Sequence, residues 1–387
     1  MDCVRIFGSV PQVAATHLFG GCCVCAVRTQ VAQGCLLAPQ TRAFSPFFRN
    51  FPSDWQIALL LHLSPCVPRV VSDLPAVKRV ALEALQDMRK NNVRYAEIRT
   101  TPRPLADGTS RREYIESVLR VFQDFETSQA ATEPGVSRDS STGSQEESVD
   151  LGVNSDEPLP ARTHLTPRLL LSVDRSKSKA EAMDVARLAL ELQADDEWKP
   201  YVLGMDFSGN PTKGSFEHFR PAFELARRSG LKVTVHCGEV ADDAEFLAVI
   251  AFRPERLGHA VVLGEEVRRA LLSLAPRIPI EICPTSNLLT LALSHHGEHP
   301  TVRDWLQEGY PFSINTDDSG VFDTDLPTEF AHLATCNDLN REQMASLACR
   351  AVQDIFDEDL RPTLTDAFRT ECDILLGEPY APDVENV

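Results

Sequence analysis

The chain has no run of apolar residues long enough to span a bilayer, so no helical membrane span is expected. Positive charge is also scarce. Lys and Arg number 38 against 56 Asp and Glu, a net charge of -18. Nucleic-acid backbones and anionic membranes both reward basic surfaces, so neither is expected as a partner. A small anionic substrate stays open, provided a local Arg or Lys meets it. The 11 cysteines have an odd total and no regular spacing, which fits a reducing, cytoplasmic setting better than a disulfide framework. Cys22, Cys23, Cys25 and Cys35 match no standard structural zinc spacing. Acidic residues are missing from Cys3 to Ser53, although Arg5, Arg28, Arg42 and Arg49 are there. A transit peptide has that charge pattern, but this stretch runs long and is not Ser-rich. An unusual amino-terminal exon accounts for it equally well.

With 387 residues and a hydrophobic content of 43%, the chain can bury a sizeable core, as one large α/β domain or two ordinary ones. Residues 1–67 show no clean period and read as an atypical amino-terminal segment, either a degenerate first strand or an unrelated exon. From Asp73, an N-cap candidate, Leu74, Val77, Val80, Ala81, Ala84, Leu85 and Met88 fall at helical spacing. V-R-Y-A-E-I-R-T over 93–100 alternates as a strand, and a helix follows over 111–126. Residues 127–163 then turn to Ser, Thr, Glu, Asp, Gly and Pro with almost no aromatics. Such a segment buries too little apolar area to offset the entropy of ordering, so a disordered acidic insertion is expected within a domain spanning 68–376. Further strands are expected at 169–173, 201–207, 232–236, 256–262, 278–283 and 312–315. Helices at 179–193, 216–229 and 265–274 separate them, and helices at 328–334, 341–355 and 360–376 precede a loose tail over 377–387.

Strand then helix, repeated, predicts a parallel sheet, open or closed. Polar residues recur where the strands end: 99–103, Asp174 with Arg175, 206–210, 236–239, His259, Ser286 with Asn287, and Asp317 with Asp318. A barrel aims every strand's carboxyl end at one mouth, whereas an open doubly wound sheet gathers only those beside its switch point. Seven such ends favour an α/β fold of the (β/α)8, TIM-type barrel kind, its first strand irregular or missing. The central stretch is K-V-T-V-H-C-G-E over 232–239. Val233 and Val235 share one face, and Thr234 and His236 the other. Gly238 permits an irregular backbone that brings Glu239 round to His236. A neutral imidazole can bind a metal and a nearby carboxylate can move a proton, although such a stretch alone is more often a plain strand end. R-L-G-H-A from Arg256 puts His259 at a strand end beside Gly258; a lone His there is more often a satisfied core residue. In I-N-T-D-D-S-G from Ile314, Ser313, Asn315 and Asp317 share a face, so Asp317 should point into the barrel with Asp318 just beyond. An Asx-rich turn or helix cap is the plainer reading of that pair. On successive strands of one barrel, the four side chains His236, Glu239, His259 and Asp317 make a site.

M-D-F-S-G-N-P, T-V-H-C-G-E, R-L-G-H-A, C-P-T-S-N and N-T-D-D, in that order, closely resemble the adenosine deaminase family of the amidohydrolase superfamily, metal-dependent hydrolases, from about Asp73 to Leu376. A-E-I-R-T-T-P-R and L-S-V-D-R-S look like its adenosine deaminase-like branch, which acts on N6-methyl-AMP. The resemblance implies a hydrolytic deaminase with one Zn2+ per chain, converting N6-methyl-AMP to IMP and methylamine, with adenosine or AMP as the alternative substrate. It implies a monomer whose partner is a small purine nucleotide or nucleoside. His236 and Asp317 would be zinc ligands. Glu239 would protonate ring N1, and His259 would orient the attacking water; with Asp317 these form the catalytic set. Asp318 would meet N7 and the backbone of Gly209 would meet N3. Thr100, Thr101, Pro102, Arg103 and Asp174 would contact the nucleotide, the fork of Arg103 matching phosphate oxygens. The family opens with a strand carrying H-x-H, which completes the zinc site, and no H-x-H occurs here. P-Q-V-A-A-T-H-L-F-G-G from Pro11 has the outline of that motif and keeps His17, with Ala15 where the first His belongs. With His17 the site has three protein ligands, the usual minimum for a catalytic zinc. Without it the alternative is a catalytically impaired isoform that retains the purine pocket.

Overall fold

The computed structural model describes residues 12–17, 71–130 and 164–376. The tail and most of the expected insertion lie outside them, as does the amino-terminal segment apart from 12–17. Eight strands follow the chain: β1 Gln12–His17, β2 Val93–Thr100, β3 Thr166–Asp174, β4 Val202–Ser208, β5 Lys232–Cys237, β6 Arg256–His259, β7 Ile280–Ile282 and β8 Phe312–Ile314. Each is parallel to the next and hydrogen-bonded with it in chain order. Helices lie between them: α1 Leu74–Lys90, α2 Arg111–Ala130, α3 Lys179–Gln193, α4 Phe216–Arg228, α5 Asp243–Phe252, α6 Glu265–Ser273 and, after β7, α7 Pro284–Thr290 and α8 Val302–Gln307. α9 Ser319–Phe322, α10 Leu326–Asn337, α11 Arg341–Ala351 and α12 Arg361–Leu376 complete a (β/α)8 barrel of the TIM type. The first strand is present, with a register irregularity between Gln12 and Val13.

Alternation along the strands separates two interiors. Outward-facing Ile98, Leu171, Phe207, Val235, Leu257, Ile280 and Phe312 pack under the helices in one apolar core. Helical spacing supplies the other half of that core. In α1, whose N-cap Asp73 accepts from Ala76 N at 2.9 Å, Val77, Val80, Ala81 and Leu85 turn inward. α3 begins with a capping box between Ser178 and Glu181. α4 lays Phe216, Phe219 and Phe223 around Phe207 at ring separations of 5.3–5.7 Å. Each such ring, fully buried, contributes about 1.5–3 kcal/mol.

The barrel's lumen is polar instead. Glu97, Arg99, Asp206, Arg256 and Glu281 are all buried there and alternate in sign. Arg256 pairs with Glu97, donates from Nε to Glu281 Oε1 at 2.6 Å, and lies 3.6 Å above the Phe356 ring. Arg99 pairs with Glu281 and brings Nη1 to 3.7 Å from Asp206 Oδ1. Burial opposes ionisation of Glu281, but Arg99 and Arg256 outweigh it and hold its carboxyl down to about 2.

Some boundaries differ from expectation. β7 is shorter than 278–283 because Pro279 has no N–H to pair and Pro284 opens α7. β6 stops at His259 because His259 and Ala260 take left-handed φ values of 63° and 48°. Residues 127–130, expected in the insertion, continue α2. There the buried Gln129 amide donates to Leu165 O at 2.9 Å and accepts from Leu165 N at 2.8 Å, tying the end of α2 to the chain before β3. Cys237, Cys283 and Cys372 are buried, packing as small apolar residues do, while Cys336 and Cys349 are only partly so.

Candidate active site

His236 is the inward-facing residue nearest the end of β5. Its Nδ1 lies 3.0 Å from Asp206 Oδ1, and Asp206 also accepts from Ser172 Oγ at 3.0 Å. A carboxylate on one ring nitrogen directs the other toward ligation. Burial favours the neutral ring, yet Asp206 more than offsets it, and the His236 pKa is pushed up to about 9. Gly258 on β6 makes room for this imidazole: a Cβ there would lie 3.0 Å from its Cγ and Nδ1.

The other groups arrive where strands end. The left-handed turn at His259 aims its ring at His236, with centroids 4.9 Å apart. Asp317 joins them, though by another route than strand alternation. β8 ends at Ile314, and Asp317 swings in through φ 53°. Left-handed backbone at non-glycine residues costs about 1 kcal/mol or more and concentrates at functional sites. His236, His259 and Asp317 each place a ligand atom within 4.8 Å of the others. Ser286 Oγ, in α7, donates to Asp317 Oδ2 at 2.8 Å, and Asn287 bonds His259 Nδ1 at 3.0 Å. Gly238, at φ 68°, turns the chain after β5 so that Glu239 Oε1 lies 3.9 Å from His259 Nε2. Asp317 Oδ2 lies at the same 3.9 Å from that nitrogen. Arg99, Glu281, Cys283 and Asn315 line the floor.

Asp318 occupies the N-cap position of α9, as the helix-cap reading has it, but its side chain makes no capping hydrogen bond. Gly209, at φ 101°, sits against Asp174: a Cβ there would meet Asp174 Oδ1 at 2.6 Å. The two expected substrate contacts are therefore neighbours. Thr100 alternates with inward-facing Arg99, and its hydroxyl pairs with Tyr114 at 2.7 Å, on the helix side of the sheet. Thr101 and Pro102 follow in the loop, partly buried and buried. Arg103 donates to Val71 O at 2.7 Å and lies over the Tyr114 ring at 5.6 Å, so its guanidinium is held between α2 and the chain ahead of α1. His17 ends β1 paired with Arg99, and Ala15 pairs with Glu97. Their side chains lie outside what is described.

One imidazole and one carboxylate, His236 with Asp206 behind it and Asp317, are donors suited to zinc, and His259 stands beside them. Barrel and cluster together define a metal-dependent hydrolase of the amidohydrolase fold. Residues 37–370 match the adenosine deaminase family. The chain is 33% identical to the N6-mAMP deaminase of Arabidopsis thaliana over 308 residues, which cover 79% of this chain and 81% of that one. It is 31% identical to an adenosine deaminase-like protein of Drosophila pseudoobscura pseudoobscura over 309 residues, 80% and 79% of the two chains. The crystal structure of Arabidopsis ADAL complexed with IMP aligns with a TM-score of 0.75 at 27% identity, over 97% of this chain and 99% of that one. The chain belongs to the adenosine deaminase family and is an enzyme of its hydrolytic, deaminating kind. The match starts at residue 37, so β1 with His17 precedes it.

Proposed function

We propose that the protein deaminates a purine nucleotide hydrolytically, converting N6-methyl-AMP to IMP and methylamine with one zinc ion. The observation that carries this is the convergence of His236, His259 and Asp317 within 4.8 Å, with Glu239 beside His259. The relative's name, N6-mAMP deaminase, and the IMP complex of ADAL point to the same substrate class.

His236 and Asp317 would hold the ion, with His17 from β1 as the third ligand. The chemistry a bound zinc supplies is an acidified water, its pKa brought to about 7, available for attack at purine C6. The protein's own groups manage the rest. As the nucleophile adds, charge builds on N1, and Glu239 discharges it by giving up a proton. His259 orients the water through Nε2. Asp318 hydrogen-bonds the ring at N7, and the N–H of Gly209 meets N3. The loop 101–103 and Asp174 contact the ribose phosphate, with Thr100 contributing backbone alone.

Metal-loaded protein, its occupancy verified, should release methylamine from N6-methyl-AMP with the ultraviolet change of a purine deamination. If N6-methyl-AMP, AMP and adenosine all stay unchanged, the proposal is wrong. Ala15 at the register of Glu97 favours one second reading, a pocket that binds purine without turnover. Stoichiometric zinc that is lost in His17→Ala would exclude it.

A further inference from the structure

His299 belongs to no motif noted in the sequence, lies beyond the barrel's strand ends, and has no part in the reaction just outlined. It is partly buried ahead of α8, and its Nδ1 faces two backbone amides, Thr301 N at 3.4 Å and Val302 N at 3.3 Å. A backbone N–H can only donate, so Nδ1 of His299 is an acceptor and carries no proton. Burial, with a smaller contribution from His259, pushes this imidazole down to about 4, so the ring is neutral at physiological pH. Its single proton is therefore on Nε2.

That nitrogen lies 3.1 Å from Asn287 Oδ1. The contact fixes the amide, which is almost fully buried: oxygen toward His299, nitrogen toward His259. Asn287 Nδ2, 3.0 Å from His259 Nδ1, can only donate. His259 Nδ1 must accept, so the N–H of the ring sits on Nε2, the atom 3.9 Å from both Glu239 Oε1 and Asp317 Oδ2. A doubly protonated His259 would set two donors face to face unless the amide turned, and His299 opposes that turn.

We infer that His299 and Asn287 are positioning residues: through one chain of hydrogen bonds they hold His259 as the Nε2–H tautomer, so that it enters the site as a hydrogen-bond donor. The backbone at the start of α8 is the fixed end of the chain, and its direction is set by groups that cannot reverse roles. Orientation of a catalytic imidazole by a partner on its second nitrogen is a general device. Here the partner is itself oriented, two side chains deep. The kinetic consequence rests on the deaminase reading; the tautomer does not.

Histidine-selective nitrogen NMR of the full-length, metal-loaded protein, with the His259 signals assigned by their loss in His259→Ala, reads the tautomer directly. His259 should show a protonated Nε2 and an unprotonated Nδ1. Asn287→Asp offers only acceptors, so it should move the proton to Nδ1. His299→Phe removes the donor and should lower kcat about 10- to 100-fold with KM little changed. His299→Gln, whose amide nitrogen can take the place of Nε2, should regain most of that loss. A proton on Nδ1 in the wild type, or an unchanged tautomer in Asn287→Asp, overturns the inference. Equal impairment of the Phe and Gln variants removes His299 from it. If no purine is turned over by any form while the spectra come out as stated, the deaminase reading fails and the tautomer stands.

Discussion

Replacing Glu281 with Gln tests the alternating charges of the lumen. Glu281 is 2% exposed. It accepts from Arg256 Nε at 2.6 Å and from Thr234 Oγ1 at 3.2 Å, and it pairs with Arg99. Glu281→Gln keeps the shape but removes the charge that compensates two buried guanidinium groups. Breaking a buried pair from one side costs about 3–5 kcal/mol. For a domain this large that lowers the thermal midpoint by roughly 6–10 °C. The carboxyl's own titration gives a second figure. Its pKa is held at about 2 in the fold against an ordinary 4.5, a difference of about 3–4 kcal/mol at about 1.4 kcal/mol per pH unit. Because the folded pKa is depressed, the stabilisation is complete above the ordinary value and is lost as pH falls through about 2. Urea unfolding of both proteins, at equal metal content, should show the full gap near neutrality and a narrowing gap on acidification below about pH 4.5. A gap under about 1 kcal/mol at neutral pH, or one that stays constant as acid is added, would refute the reasoning.

Asp206→Asn should weaken zinc binding about 10- to 100-fold in competition with a chromophoric chelator, and unchanged affinity would show that Asp206 does not prepare His236 for ligation. Glu239→Gln keeps the site's shape but cannot give up a carboxylic proton; kcat should fall at least about 100-fold with KM little moved, whereas a change confined to KM would make Glu239 a binding group. Thr100→Val and Tyr114→Phe each break the same 2.7 Å hydrogen bond and should each cost about 1 kcal/mol in denaturant unfolding, without raising KM for the nucleotide. A raised KM in Thr100→Val alone would place that hydroxyl in the pocket after all.

The barrel was legible because strand periodicity and polar strand ends are local features of sequence. His236 could be placed by counting: with Val233 and Val235 outside, it had to face inward. Counting turned Asp317 inward as well, but its backbone reaches the cluster through a left-handed turn that strand alternation does not foresee. Thr100 shows the reverse. The family's loop suggested a nucleotide contact, but alternation with Arg99 turns its side chain to Tyr114. Arg99, Glu281 and Arg256 lie on three different strands and pair only once the sheet curls, so their partnership had no signal along the chain. The polar lumen itself did leave one: each of these residues interrupts an apolar strand at an inward position. His299 left none, because its role depends on two amides of a loop and on the side chain of Asn287.

The paired hydrogen bonds between Gln129 and Leu165 give the segment 131–163 a defined address. One side-chain amide imitates a step of sheet pairing and clasps the chain on both sides of that segment, in a layer away from the strand ends that carry the site. Closing a loop whose ends are already held together costs little more as it lengthens. The barrel is therefore indifferent to how many residues are spliced in at this point. A reporter domain or an affinity handle could be exchanged for the native segment there, and evolution has the same freedom to rewrite it without retuning the catalyst.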